Sequence, residues 1–89
     1  MPTEKENKDT LQEALRSLNE VISNITTPKT IKKNITDMIA DLSKVEYSMS
    51  VRAANAISML DDVTQDPNMP SHVRVTLWLA VSKLESIRE

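Results

Sequence analysis

Asp61, Asp62 and Asp66 crowd one short segment, and His72 and Arg74 follow within eight residues. Carboxylates beside a histidine are raw material for general acid–base chemistry or for a hard-cation site. The spacing supports neither. A hard cation takes six or more oxygen ligands, and no EF-hand pattern is present. A glycosidase-like carboxylate pair needs a cavity between its members, and Asp66-Pro67-Asn68 already reads as a turn with proline presetting φ. His72 is the only histidine, stands in the first turn of an expected helix, and has no second ligand spaced with it. The helix dipole there disfavours its charged form. With no cysteine in the chain, zinc–thiolate sites, cysteine nucleophiles and disulfides are excluded. No Ser-His-Asp pattern is present either. The chain reads as non-enzymatic, with no metal and no cofactor. The acids are expected to be structural, Asp62 or Asp66 pairing with Arg74, as Glu20 or Asn24 would with Lys32.

Lys29, Lys32, Lys33, Arg52 and Arg74 lie near helix starts, where basic side chains beside free N–H groups can hold phosphate. Nucleic-acid association is therefore the alternative reading. Against it stand a net charge of −2, from 11 basic and 13 acidic residues, and only two aromatics, Tyr47 and Trp78.

The elements that carry these residues are helices. The chain has 89 residues, enough for one domain, and no glycine at all. Hairpins with primed turns, phosphate-cradling loops and dinucleotide fingerprints all draw on glycine. Apolar residues recur at helical spacing in four segments. Residues 1–9 are expected to form a flexible N-terminal arm. Thr3 and Glu6 fit a capping box there, with firm helix expected only near Thr10. Residues 10–89 form a single helical domain of two hairpins, 10–45 and 48–88. Leu11, Leu15, Leu18, Val21, Ile22 and Ile25 recur at helical spacing and mark an amphipathic first helix to about Ser23 or Asn24. Pro28 opens the second, with Thr27 as its cap. Ser48 or Ser50 caps the third, and Pro70 opens the fourth. No apolar run is long enough to cross a bilayer, and the polar N-terminus resembles no signal peptide, so a cytoplasmic location is expected.

A shift of 42 residues lays one hairpin on the other. Leu18-Asn19-Glu20-Val21 falls on Leu60-Asp61-Asp62-Val63, Asn24 on Asp66, Pro28 on Pro70, and Ile31-Lys32 on Val73-Arg74. Periodicity explains the apolar matches but not the loop matches as well. The period and the acid–Pro–Val-Arg pattern look like HEAT-type helical repeats. Two units are too few for a solenoid, so the expected fold is all-α, a four-helix bundle of two repeated αα-hairpins.

The duplication also exposes a difference. Lys33, Thr36 and Asp37 become Val75, Trp78 and Leu79, and Ser17 becomes Met59. The second hairpin thus carries an extra apolar stripe, Val75, Trp78, Leu79 and Met59. Burying such residues is worth roughly 1.5–3 kcal/mol each, against a stability of about 5–15 kcal/mol for a small domain. The stripe is expected to be covered, either within the chain by the first helix or the Ser43–Ser50 linker, or by a partner. The partner would be a second copy, giving a homodimer, or another protein.

Residues 51–85, VRAANAISMLDDVTQDPNMPSHVRVTLWLAVSKLE, resemble the second half of a small archaeal uncharacterised protein family, UPF number 0147. DPNMPSHVR with Trp78 four residues on is the most specific part. ITTPKTIKKNI in the first half extends the likeness more weakly. The resemblance implies a compact all-α protein of archaeal source and assigns no activity. Where relatives often read Pro-Arg-Asn-Ile-Arg, this chain has Pro28-Lys29-Thr30-Ile31-Lys32, which keeps the charge and loses the guanidinium fork.

Overall fold

The computed structural model describes residues 2–89 as four α-helices: α1 (Glu4–Ser23), α2 (Lys29–Leu42), α3 (Met49–Val63) and α4 (Ser71–Glu85). Thr3 and Glu6 close the capping box: the Glu6 N–H donates to Thr3 Oγ1 at 3.1 Å and the Thr3 N–H to Glu6 Oε1 at 3.0 Å. Ser48 caps α3, its Oγ accepting from the Val51 N–H at 3.3 Å.

The expected arm over 1–9 is corrected by this start, because Glu4 to Asp9 are the first turns of α1. The cause is Asn7, which is buried. Its Nδ2 donates to the Arg88 carbonyl at 2.7 Å, and its Oδ1 accepts from the Arg88 N–H at 3.3 Å. One side chain so satisfies two backbone groups of the C-terminal segment and ties both ends of the chain together.

Each helix buries one stripe: Leu11, Ala14, Leu18 and Val21; Ile31, Ile35, Met38 and Leu42; Ala53, Ala56 and Leu60; Val73, Leu77, Ala80 and Leu84. These meet in one core, which Met69 and Ile87 join from outside the helices. α1 ends at Ser23, as the sequence suggests, and this leaves Ile25, the last residue of its apolar series, in the loop and 94% exposed.

The helices pack around a square, α1 on α2, α2 on α3, α3 on α4 and α4 on α1, with α1 on α4 the most extensive contact. A solenoid would have stacked α1 on α3 and α2 on α4. Here those are the diagonals and make the least contact. The hairpins instead face each other, with α1 on α4 and α2 on α3, the first of these packings being much the larger. The bundle closes within one chain.

The loop matches of the repeat are structural. Asn24 Oδ1 accepts from the Thr26 N–H at 2.9 Å, and Asp66 Oδ1 from the Asn68 N–H at 2.9 Å. Pro28 and Pro70 each occupy the N-cap, at φ −57 and −59. Thr27 is therefore not the cap of α2. It lies one residue further out, buried, with its hydroxyl enclosed and unpartnered, in the place Met69 fills in the second hairpin.

Candidate functional site

α4 turns Val73, Leu77, Ala80 and Leu84 inward. At 100° per residue, Val75, Trp78, Leu79, Ser82 and Ser86 share the opposite side. Val75 is 53% exposed, and Trp78 and Leu79 are 57% exposed. Among the described residues, neither α1 nor the segment between α2 and α3 buries them, so the expected cover inside the chain is at most partial. Met59 differs from the other three, being partly buried against the core.

The stripe begins beside a junction of the two proline loops. Thr26 Oγ1 lies 2.8 Å from His72 Nε2 and donates to Asn24 Oδ1 at 2.7 Å. A hydroxyl has one proton, so His72 is the donor in the first bond and carries its hydrogen on Nε2. The lone histidine is thus a tie between the α1–α2 loop and the start of α4. Ile25, next to Thr26, is the most exposed large apolar side chain at this end.

The expected ion pair of Asp62 or Asp66 with Arg74 is not formed. Arg74 Nε donates to the Thr64 carbonyl and Nη2 to the Asp66 carbonyl, both at 3.0 Å. The Thr64 and Asp66 carbonyls just past α3 are close to the guanidinium, the Asp66 carbonyl also accepting from the Met69 N–H at 3.2 Å, whereas the Asp66 carboxylate serves its own turn. Arg52 does the same at the other end of the bundle, Nη1 donating to the Leu42 carbonyl at 2.9 Å. Both arginines are the fourth residue of their helix and reach ten residues back. Among the described residues the ion pairs are Lys8–Glu4 at 3.5 Å, Lys44–Asp41 at 3.1 Å and Lys83–Glu13 at 2.9 Å.

The five basic residues therefore do not form one surface. Lys29, Lys32 and Lys33 lie within the first turn and a half of α2, with Arg74 at the same end but engaged with carbonyls. Arg52 is at the far end. Among the described residues no three histidine or carboxylate side chains come together as metal ligands would.

The sequence profile described as Uncharacterised protein family (UPF0147) matches residues 1–87. The chain belongs to this family. The UPF0147 protein SSO6503 of Saccharolobus solfataricus is 39% identical over 89 residues, spanning 100% of this chain and 98% of the relative. The UPF0147 protein Ta0600 of Thermoplasma acidophilum is 40% identical over 75 residues, 84% of this chain and 85% of the relative. A crystal structure of a UPF0147 protein from Thermoplasma acidophilum superposes with a TM-score of 0.87 at 36% identity, covering 94% of this chain and 99% of that one. A crystal structure described as the unknown function protein MMP1188 does so with the same TM-score of 0.87 at 36% identity, over 92% and 93% of the two chains.

In this UPF0147 member several groups escape the sequence pattern. Glu89 Oε1 accepts from the Ser50 N–H at 2.9 Å and from Ser50 Oγ at 2.7 Å, so a C-terminal carboxylate sits on the start of α3. The Ser50 N–H holds that carboxyl below the usual range. Lys83 lowers Glu13 in the same way, and the Thr3 N–H lowers Glu6. Val45, 87% exposed, and Tyr47, about half exposed, project from the α2–α3 segment. Periodicity could have marked only the last two, because they fall past Leu42 with no helix to bury them.

Proposed function

We propose that this UPF0147 member is a non-enzymatic protein–protein contact module whose docking face is the outer side of α4. The supporting observation is that the core closes without Val75, Trp78 and Leu79, which are each more than half exposed. Covering them would contribute several kcal/mol, at roughly 25 cal/mol per Å² of apolar surface removed from water.

A second copy is the partner this reading commits to. The outward positions Ser71, Val75, Trp78, Leu79, Ser82 and Ser86 carry no charge, and the exposed Glu85, seven residues after Trp78, stands at the edge of the face. A two-fold interface sets a face against itself, so an uncharged seam brings no like charges together. The serines at either end of the bulky centre let two helices approach. Cytoplasmic placement belongs to the same proposal.

Light scattering behind size exclusion, across a range of concentrations, tests it. A dimer that Trp78→Asp converts to a folded monomer is the expected result. A monomer at every concentration overturns self-association. Unfolding of Trp78→Asp would contradict the exposure of Trp78.

One observation favours the nucleic-acid alternative. Lys29, Lys32 and Lys33 are grouped at a helix start with no acidic residue in its first turn. It predicts salt-sensitive retention on RNA or DNA, weakened by Lys32→Ala with Lys33→Ala. Absence of retention at low salt ends it.

A further inference from the structure

The outer side of α4 is lopsided. From Val75 to Leu79 it is bulky, with Trp78 between them, and beyond Leu79 it is small, with Ser82 and Ser86. At 100° per residue, Trp78 and Glu85 share the flank turned to α3, while Lys83 bridges to Glu13 from the flank turned to α1. Beside the small half, on the Trp78 flank, α3 and α4 leave a groove of about 240 Å³. Ser50, Ala53, Ala54 and Ile57 line it from α3, and Leu84 and Glu85 from α4. Trp78 of the same chain stands roughly 10 Å further up the helix than Glu85 and is 57% exposed.

Val75, Trp78 and Leu79 together expose on the order of 300 Å², against about 800 Å² that each partner of a stable complex buries. A stable pair therefore has to draw in a neighbouring helix. Toward α1 it would meet the Glu13–Lys83 bridge, whose two charges would have to leave water. Toward α3 it meets Val51, Ala54 and Ser58, which are exposed and uncharged. Between Met49 and Leu60 the one charge of α3 is Arg52, which is turned toward α2 and donates to the Leu42 carbonyl.

We infer that two copies pair through antiparallel α4 helices and that Trp78 of each copy seats in the α3–α4 groove of the other; this rests on the self-association proposed above. A two-fold axis lying between antiparallel helices sets like flanks together, so Trp78 meets the flank that bears the groove. An axis beside Ser82, midway between Trp78 and Glu85, brings Trp78 level with Glu85 of the second copy. Bulk then falls on small residues in both directions, with Val75 and Leu79 over Ser82 and Ser86, and the two surfaces interdigitate. A parallel pair would set Trp78 against Leu79 and leave both grooves empty. An apolar cavity of about 150 Å³ holds a benzene ring, so the groove has room for an indole. The Glu85 carboxylate at its rim is an acceptor for the indole N–H.

The chain has no cysteine, so single cysteines report the pairing without background. Ser82→Cys, beside the axis, should oxidise to a covalent dimer, since a disulfide needs Cα atoms within about 7 Å. Val75→Cys should not, because the two Val75 positions stand roughly 20 Å apart along antiparallel helices. Ala54→Glu puts a carboxylate in the groove at an exposed position. It should raise the dimer dissociation constant about tenfold or more in a protein that still melts cooperatively. Light scattering reads the mass of each variant across a range of concentrations. A parent chain monomeric at every concentration overturns self-association and this pairing with it. A dimer in which Val75→Cys links to itself, Ser82→Cys does not, or Ala54→Glu associates undiminished keeps self-association and overturns the antiparallel pairing alone.

Discussion

Asn24 and Asp66, 42 residues apart, close the same turn: each side-chain oxygen accepts the N–H two residues on, at 2.9 Å. One is neutral and the other a carboxylate, so the position selects for an acceptor on a short side chain, not for charge. Asp66→Asn is expected to leave stability within about 0.5 kcal/mol, and Asp66→Ala to cost about 1 kcal/mol. Urea denaturation measures both. A large loss in Asp66→Asn would mean that the charge matters.

Arg74 is bound by two carbonyls and not by an acid. Arg74→Lys should therefore cost about 1–2 kcal/mol, since an ammonium cannot reproduce the two-point contact. Asp62→Asn should change stability by less than about 0.5 kcal/mol. Equal losses in the two variants would restore the ion pair that the geometry denies.

Thr27 fills a Met69-type position with an enclosed hydroxyl that has no partner. Thr27→Val keeps the shape and removes the unmatched group. A gain of about 1 kcal/mol is expected, a rise in melting temperature of about 4–8 °C for a chain of this size. Calorimetry decides, and a lower melting temperature would show that the hydroxyl has a partner in solution.

Glu6, Glu13 and Glu89 all have carboxyls held below their ordinary value of 4.5. A depressed folded-state value means the unfolded chain binds protons first as pH falls. Their contribution is fully present above 4.5 and is lost as pH drops through the lower folded-state values. Lys44 is raised above 10.5 by Asp41, so its contribution is lost only at alkaline pH. Melting temperature should be level near neutrality and decline below pH 4.5. In Glu89→Gln part of that decline should disappear, and an unchanged acid limb would show that the bond to Ser50 is not made.

Copying the first hairpin onto the second tests the α4 face without disturbing the core. Val75→Lys, Trp78→Thr and Leu79→Asp together reproduce Lys33, Thr36 and Asp37. The triple variant should fold with monomer stability within about 1 kcal/mol of the parent, since these side chains lie outside the core. It should be monomeric by light scattering. A collapse in stability would mean the stripe packs within the chain.

Much of this fold can be read from residue spacing. The Thr3–Glu6 box forms where the pattern places it, and Pro28 and Pro70 mark helix starts, each as the cap and not as the first helical residue. Backbone groups decided what the pattern missed. Arg74 was matched to acids because charge is visible in a sequence, while the carbonyls of Thr64 and Asp66 are not. Asn7 gave no periodic signal, and its partner Arg88 is 81 residues away. The exposure of Trp78 depended on which neighbours the bundle supplies, and a helical pattern alone leaves that open.

The packing of α1 on α4 and of α2 on α3 has an evolutionary reading. A chain of half this length would present the same inward faces twice, so two such chains could close the bundle as a symmetric dimer. Joining the copies through residues 43–48 makes their meeting intramolecular and removes its dependence on concentration. It also frees the copies from having to be identical. Once fused, one outer helix could become apolar while its counterpart stayed charged, an asymmetry that a dimer of identical chains could never hold.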